Sequence, residues 1–254
     1  MAKVIAVVNQ KGGVGKTTTA LNLAVSLAYL SQEVLVVDFD SQANLSSGLG
    51  FSSQAAYDVS DVLLEPALLL SALSPTKIEF LDLLPSSHNL VGIELLLKDL
   101  DHRENRLKAS LEAVNEMYKY ILIDCPPSLG LLTVNALCAA NHVLIPMLAE
   151  YYALEGLSFL NQTINRVKET QNPDLSILGI VFSMFDSRLQ LSQAVFKEVV
   201  EFFPGLVWDT VVPRSIRIAE APGYSMPIHV YAPRSQGSQA YMDMGKEFLV
   251  RISS

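Results

Sequence analysis

The chain has 254 residues, of which 50% are hydrophobic and 17% charged, a composition typical of a well-packed globular protein rather than a disordered one. Its formal charge of −8 and pI near 5.0 argue against a nucleic-acid interface spread over a whole face and allow only a local basic patch. No apolar run approaches the ~18–20 residues that cross a bilayer. Because no signal-peptide pattern precedes the first predicted strand, we expect a cytoplasmic protein.

Short apolar runs rich in β-branched residues alternate with longer amphipathic stretches along the chain. Most of these runs are continuously apolar, as in strands buried on both faces, so the pattern predicts an α/β fold with a mainly parallel, twisted sheet and helices on both faces. The predicted strands are 4–8, 34–38, 81–84, 121–124, 143–147, 177–183 and 207–212. The predicted helices are 16–30, 103–117, 129–139, 153–170, 192–202 and 238–252.

Two stretches, 50–74 and 213–237, are less regular, and the second is rich in Pro, Gly, Ser and Arg, as loops near a site often are. No linker, repeat or low-complexity tract interrupts the pattern, so residues 1–254 are predicted to form one domain. The two cysteines, Cys125 and Cys138, fall at a strand end and inside a helix. These positions favour neither a structural disulfide nor a zinc site and fit a reducing cytoplasm.

The first predicted strand runs directly into the sequence KGGVGKT at residues 11–17, and a helix follows. This is the context of a phosphate-binding loop, because the glycine-rich turn and the helix N-terminus aim N–H groups at an anion. Lys16 is predicted to reach the β- and γ-phosphates, and the Thr17 hydroxyl to ligate Mg²⁺. An ordinary glycine-rich turn with two surface lysines is the weaker alternative.

The usual pattern G-x-x-x-x-G-K-[ST] requires glycine at position 10, where Gln10 stands. A second lysine, Lys11, lies instead at the loop entrance, and it is hard to aim at phosphates already served by Lys16. A cation there can face a nucleotide bound by a neighbouring subunit, as an arginine finger does in trans. Lys11 therefore predicts an ATP-dependent homodimer, and a solvated surface lysine is the alternative.

Two predicted strands end in aspartates. Asp38 and Asp40 are two residues apart and so share a face that points towards the carboxyl edge of the sheet, where α/β folds hold ligands. One of them can hold the attacking water while the other organises Mg²⁺ or the loop. Capping of the next turn is the alternative, more so for Asp38 than for Asp40. The run ILID delivers Asp124 to the outer shell of the metal.

The residues now match a family. KGGVGKTT, VVDFDSQAN followed by SSGLG, ILIDCPPSLGLLTVNAL, EYYALEGL, and VPRSIRIAEAPGYSMPI with YAPRSQGSQAY together resemble the ParA/Soj-type chromosome and plasmid partition ATPases, over residues 1 to about 242. The first block alone is shared with the wider deviant Walker A group, which includes MinD-like, nitrogenase-iron-protein-like and arsenite-pump-like ATPases. The later blocks narrow the resemblance to the partition proteins.

The resemblance implies ATP and Mg²⁺ as cofactors and a role for each matched residue. Lys11 resembles the lysine that contacts the partner subunit's nucleotide, Asp40 the acid that hydrolysis requires, and Asp124 the Walker B acid. The implied catalytic residues are Lys11, Lys16 and Asp40; the nucleotide-binding residues are Lys11, Gly12, Gly13, Val14, Gly15, Lys16, Thr17, Thr18 and, beside the adenine, Pro213; the metal-site residues are Thr17, Asp40 and Asp124; and the residues that contact DNA without sequence preference are Arg188 and Arg217.

The implied function is an ATP-dependent dimerising switch for DNA segregation. The ATP dimer would bind non-specific DNA on the nucleoid, and a ParB-like partner would release it by stimulating an otherwise slow hydrolysis. Three positions depart from the family pattern: Ser41 where proline is frequent, Ser215 where asparagine is common, and Gln236 where a basic residue is common. The last two leave adenine and DNA contacts open, and the arginines could instead make structural or nucleotide contacts.

Other members of the wider group remain as alternatives. A MinD-like membrane-associated ATPase needs a C-terminal amphipathic helix rich in Lys and Arg, whereas residues 242–254 hold two cations and two acids, so no membrane contact is expected. An iron protein needs cysteines placed to share a cluster, which Cys125 and Cys138 are not. An ATP-dependent small-molecule ligase on the same fold needs a substrate pocket that the sequence does not reveal.

Overall fold

A seven-stranded sheet forms the centre of the computed structural model, which describes residues 1–51, 56–151 and 153–253. The strands are β1 Lys3–Val7, β2 Val34–Asp38, β3 Ser74–Pro75, β4 Leu81–Leu84, β5 Tyr120–Asp124, β6 His142–Met147 and β7 Ser176–Phe182. Their order across the sheet is β3-β4-β2-β5-β1-β6-β7. The short edge strand β3 pairs antiparallel with β4, and the other pairs are parallel. The predicted mainly parallel α/β sheet is confirmed.

Helices connect the strands and lie on both faces of the sheet. They are α1 Lys16–Tyr29, α2 Asn44–Gly48, α3 Val59–Leu64, α4 Leu69–Ala72, α5 Ile93–Leu97, α6 Arg106–Leu111, α7 Leu131–Ala139, α8 Ala153–Thr170, α9 Gln190–Phe202, α10 Ile216–Glu220, α11 Ile228–Tyr231 and α12 Gln236–Arg251. Short 3₁₀ helices occur at Pro66–Leu68, His88–Gly92, Arg103–Asn105, Glu112–Val114 and Ala221–Tyr224. None of the described helices is both long and apolar enough to cross a membrane.

The continuous apolar runs are explained by a core on each side of the sheet. In β1, Ile5 and Val7 face the core formed with α1 and α12, while Val4 and Ala6 face the core formed with α7 and α8. Both faces of a strand must then be apolar, because successive side chains point to opposite faces. Cys125 and Cys138 are free and buried in this second core.

The predicted strand at 207–212 is wrong. Its ends do follow β7, since Trp208 N donates to Ile180 O at 3.0 Å and Val212 N donates to Phe182 O at 2.8 Å. Between these points the amides of Asp209 and Thr210 donate to the Glu247 carboxylate of α12, each at 2.9 Å. The Glu247 side chain thus accepts hydrogen bonds from backbone amides that a strand would pair with its neighbour. Within 207–212, only an isolated bridge forms, at Val207.

The predicted helix at 103–117 is shorter in the structure. Its middle is α6, and both ends tighten into 3₁₀ turns at Arg103–Asn105 and Glu112–Val114, as helix ends commonly do. The irregular stretch predicted at 50–74 contains α3 and α4 in its described part, and residues 52–55 lie outside the described residues.

We expect Gly179→Ala to destabilise the protein. The indole of Trp208, which is fully buried, packs directly on the Gly179 backbone, and a Cβ there would overlap it. Overpacking of this kind costs about 1–3 kcal/mol, measurable by urea unfolding. Gly92→Ala is the matched control, because a Cβ at Gly92 meets nothing within 4 Å and its φ of −95° suits alanine. Equal unfolding free energies for the two variants would contradict this packing argument.

Candidate functional site

The loop between β1 and α1 is held in a cradle-like conformation by two glycines and one buried side chain. Gly13 and Gly15 have φ values of +73° and +83°, a left-handed region that side-chain-bearing residues rarely adopt. Val14 between them is buried, and its carbonyl accepts a hydrogen bond from the Ser183 hydroxyl at 2.6 Å. Gly15 caps α1 without a side chain, so the first-turn N–H groups remain directed at the loop, where an anion is favoured.

Lys16 lies largely buried inside this loop. Its ammonium donates to the carbonyl of Lys11 at 2.9 Å, which uses one of its three protons. Burial lowers the pKa of Lys16, while the nearby carboxylates of Asp124 and Asp40 oppose that shift. The Lys16 ammonium therefore lies inside the loop with protons left to bind an anion.

Asp38 and Asp124 are paired in register where β2 and β5 end together. Both side chains are fully buried, but their surroundings differ. Asp38 accepts hydrogen bonds from the Ser46 amide at 2.8 Å and the Ser46 hydroxyl at 2.7 Å. Burial raises the pKa of Asp38 to about 6, and these bonds oppose the rise. Asp38 thus holds the turn that follows β2, which agrees with the capping interpretation.

Asp124 has no such support. Across residues 1–51, 56–151 and 153–253, neither of its carboxylate oxygens has a hydrogen-bond partner in good geometry, although the Thr17 hydroxyl is close enough to influence it. Burial, together with the charge of Asp38, raises the pKa of Asp124 well above its usual range, and the Thr17 hydroxyl and Lys16 oppose the rise. An orphaned buried carboxylate beside a threonine hydroxyl is a donor set that fits a hard divalent cation such as Mg²⁺.

Asp40 lies two residues beyond β2 and is partly exposed. Its Oδ1 accepts a hydrogen bond from the Gln42 amide at 3.0 Å, and its own amide donates to Asp38 at 3.3 Å. The electrostatic influence of Asp40 reaches both Lys16 and Asp124. The structure therefore brings Lys16, Asp40 and Asp124 to one edge of the sheet, as the sequence predicts.

Lys11 lies on the outer side of the loop. Its ammonium is 3.7 Å from the Glu150 carboxylate, and the two side chains are 38% and 57% exposed. An ion pair this exposed is weak. The Lys11 side chain is thus turned away from the cradle that Lys16 occupies, which separates the two lysines as the loop sequence suggests.

A cavity of about 460 Å³ adjoins the loop, a size typical of ligand pockets. Gly15 and Thr18 form one side of it, and Pro213, Ser215 and Ile218 form part of the other. Pro213, which the resemblance places beside the adenine, lines this cavity. The remaining lining residues are Ser183, Met184, Val212, Arg214, Ile216, Ala219, Pro222 and Tyr241. Of these, Ser183 ends a predicted strand at the carboxyl edge, a signal that could have identified it.

The segment around Ile228 and His229 is tied to α1, the helix that follows the loop. The Ile228 amide donates to Asn22 Oδ1 of α1 at 2.9 Å, and the buried His229 Nε2 lies 3.0 Å from the Ser26 hydroxyl. Burial lowers the pKa of His229 to about 4, so the imidazole is neutral at neutral pH. These polar contacts were missed at the sequence level because they join residues about 200 positions apart.

The two arginines predicted to contact DNA are exposed, and each is paired with a nearby carboxylate. Arg188 makes an ion pair at 2.7 Å with Asp186, and its side chain is 87% exposed; the pairing lowers the pKa of Asp186 to about 2. Arg217 lies 3.1 Å from Glu220, which also accepts a hydrogen bond from the Tyr231 hydroxyl. Neither arginine lines the cavity; Arg214 does.

Comparison with known proteins gives consistent matches over the chain. A family model described as an AAA domain matches residues 2–177. The sporulation initiation inhibitor protein Soj of Bacillus subtilis is 48% identical over 248 residues, covering 97% of this chain and 98% of that protein. The chromosome partitioning protein ParA of Myxococcus xanthus is 45% identical, covering 99% and 89%.

Two solved structures share the fold. Cobyrinic acid a,c-diamide synthase from Mycobacterium smegmatis, crystallised with an ATP analog and magnesium, superposes with a TM-score of 0.87 at 34% identity, covering 100% of this chain and 97% of that one. The cell division ATPase MinD of Pyrococcus furiosus gives a TM-score of 0.82 at 27% identity, covering 98% and 99%. The sequence relatives of higher identity include chromosome-partitioning proteins, at 44–45% identity. The chain therefore belongs to the ParA/Soj family of chromosome-partitioning P-loop ATPases.

Proposed function

We propose that residues 1–254 act as one ATPase unit, which binds ATP and Mg²⁺ at the carboxyl edge of the sheet and dimerises on doing so. The observation that carries this proposal is that the two loop lysines occupy different places. The Lys16 ammonium lies inside the phosphate loop, while the Lys11 ammonium lies outside it beside Glu150. The ATP analog and magnesium bound by a relative of 34% identity support the choice of ligands.

The proposed nucleotide site uses residues already close together. The N–H groups of Gly12 to Thr18 and the free protons of Lys16 bind the phosphates, and the base occupies the cavity beside Pro213. Thr17 and Asp124 hold Mg²⁺, which neutralises charge on the phosphate oxygens when bound. The cation would also satisfy the orphaned carboxylate of Asp124, which otherwise costs stability.

Hydrolysis needs a water held in line with the γ-phosphate. Asp40 suits this role because it lies at the same edge, is partly exposed and makes one local hydrogen bond through Oδ1, so its second oxygen is available to orient a water. Lys11 of the second subunit completes the positive charge around the transferring group. Intrinsic turnover is slow in this proposal because these charges are complete only in the dimer.

ATP-dependent dimerisation is the first test. With Mg-ATP, sedimentation should show dimers of Asp40→Ala, which binds but does not hydrolyse ATP, and monomers of Gly12→Val. A Cβ at Gly12 meets nothing within 4 Å in the free chain, so we expect the valine to act where a second subunit approaches, and thermal melting checks that the monomer stays folded. Monomers for both variants would contradict the trans role of Lys11.

We further propose that the dimer binds DNA without sequence preference and serves segregation with a ParB-like partner, in agreement with the chromosome-partitioning names of two relatives of 45% identity. A monomer of net charge −8 offers few phosphate contacts. Dimerisation doubles the copies of Arg188 and Arg217 and links them, which raises affinity without new chemistry. DNA binding would then depend on ATP and place the protein on the nucleoid.

The DNA surface can be tested by charge reversal. The double variant Arg188→Glu, Arg217→Glu should lose ATP-dependent DNA binding at low salt, and the slope of log affinity against log salt should fall by about one unit per lost contact. The double variant Arg166→Glu, Lys168→Glu, at two exposed positions on α8, is the matched control because it changes the net charge equally. Wild-type DNA binding by the double variant would show that the surface is elsewhere.

The Asp186 carboxylate provides a test in the opposite direction. The Asp186 carboxylate accepts hydrogen bonds from the Arg188 guanidinium, which a DNA phosphate would also need. The substitution Asp186→Asn removes the negative charge and keeps an oxygen that can accept from the Arg188 amide. We therefore expect Asp186→Asn to tighten DNA binding severalfold. Electrophoretic mobility shifts at several salt concentrations would measure it. Weaker binding would mean that Asp186 orients Arg188 for DNA.

Two alternative functions are addressed by particular observations. A small-molecule ligase is suggested by the structural match to cobyrinic acid a,c-diamide synthase, and a fast ATPase without DNA or partner would favour a metabolic role. A MinD-like membrane helix is disfavoured because α12 packs its apolar side chains Tyr241, Met244 and Phe248 in the core beside α1.

A further inference from the structure

An apolar surface that the nucleotide site does not use lies on the segment after β4. Val91, Leu95 and Leu96 are 67%, 78% and 60% exposed, and Leu100 is 38% exposed. We call these four side chains the leucine face. The opposite side of the same segment, formed by Leu90, Ile93 and Leu97, is buried in the core. The exposed side chains are thus fixed in place by a well-packed inner side.

The leucine face sits beside the loops that carry the site acids. His88, three residues before Val91, has its Nδ1 3.3 Å from the carbonyl of Ser41, the residue after Asp40. Glu94 accepts a hydrogen bond at 3.2 Å from the amide of Leu132, in the first turn of α7 after the Asp124 loop. Its carboxylate is also packed so closely on Gly130 that a Cβ there would lie 2.8 Å from Oε1. Both site loops therefore border this segment.

The position of the leucine face indicates what covers it. A two-fold dimer that brings Lys11 to the partner's nucleotide must bring the carboxyl edges of two chains together, and isologous contacts then bury the surfaces beside each site. Two chains of charge −8 repel one another. An uncharged apolar surface at this edge offers attraction without adding to that repulsion, and exposed apolar patches commonly mark such interfaces.

We infer that the leucine face of one chain packs against a second copy of the same chain in the ATP-bound dimer. This inference rests on the proposed ATP-dependent dimerisation and adds the apolar contact that holds it together. Lys11 then makes the dimer depend on nucleotide, while the leucine face supplies burial that is independent of nucleotide charge. The free monomer exposes the face whenever ATP is absent.

The test uses Asp40→Ala as the parent, since it retains ATP. Leu95→Ser with Leu96→Ser in this parent should raise the dimer dissociation constant in Mg-ATP at least tenfold, as loss of interface anchors does, measured by sedimentation velocity. ATP affinity, measured by binding of radiolabelled ATP below the dimer concentration, should change less than about twofold. The changes lie on the exposed side, so thermal melting should show an intact fold.

Two controls keep the result specific. Leu70→Ser alters a leucine that is 56% exposed on α4 and should dimerise as the parent does, and Leu95→Met with Leu96→Met should retain dimers because the apolar surface is kept. If the leucine-to-serine variant dimerises like the parent, the leucine face is not a dimer contact and would have to bind a different protein. The proposed function would then still stand. A parent that stays monomeric in Mg-ATP would overturn both.

Discussion

The burial of charge at one end of the sheet is the constraint on which the rest of the site depends. Asp38 and Asp124 lie opposite each other on β2 and β5, fully buried, with Lys16 nearby. Unpaired buried carboxylates are costly. The Ser46 amide and hydroxyl stabilise the Asp38 carboxylate, whereas the Asp124 carboxylate has no such partners among the described residues. In the proposed site, a bound cation would supply the missing partner.

Hydrogen bonds link the loops around the buried carboxylates to other parts of the molecule. The phosphate loop is held by the hydrogen bond between Ser183 and the Val14 carbonyl. Helix α1, which follows the loop, contacts the segment around Ile228 and His229 through Asn22 and Ser26. The leucine face borders the two acid-bearing loops, and the Lys11 side chain lies beside Glu150, after β6. The proposed nucleotide site, the cavity and the proposed dimer surface are therefore linked through α1 and the loops at the carboxyl edge of the sheet.

Structural features that depend on a local sequence pattern are predicted correctly, whereas those set by contacts between residues far apart in the chain are not. The strand at Val34–Asp38 was predicted to the residue, since its apolar run ends at a charged one, and the loop residues are contiguous. The strand at 207–212 was wrong because Glu247 captures its amides. The pairing of Arg188 with Asp186 is local, yet its importance is visible only in the structure, and the exposure of Leu95 depends on how its neighbours pack.

The trans position of Lys11 can be measured directly by mixing two inactive proteins, Lys11→Ala and Asp40→Ala, and following phosphate release from ATP. In the proposed sandwich dimer each site would take Asp40 from one chain and Lys11 from the other, so a mixed dimer would hold one intact site and one doubly altered site. An equal mixture should recover about a quarter of the wild-type rate, because half of the dimers are mixed. If Lys11 acts within its own chain, neither site of a mixed dimer is complete and the mixture stays inactive, which would contradict the account.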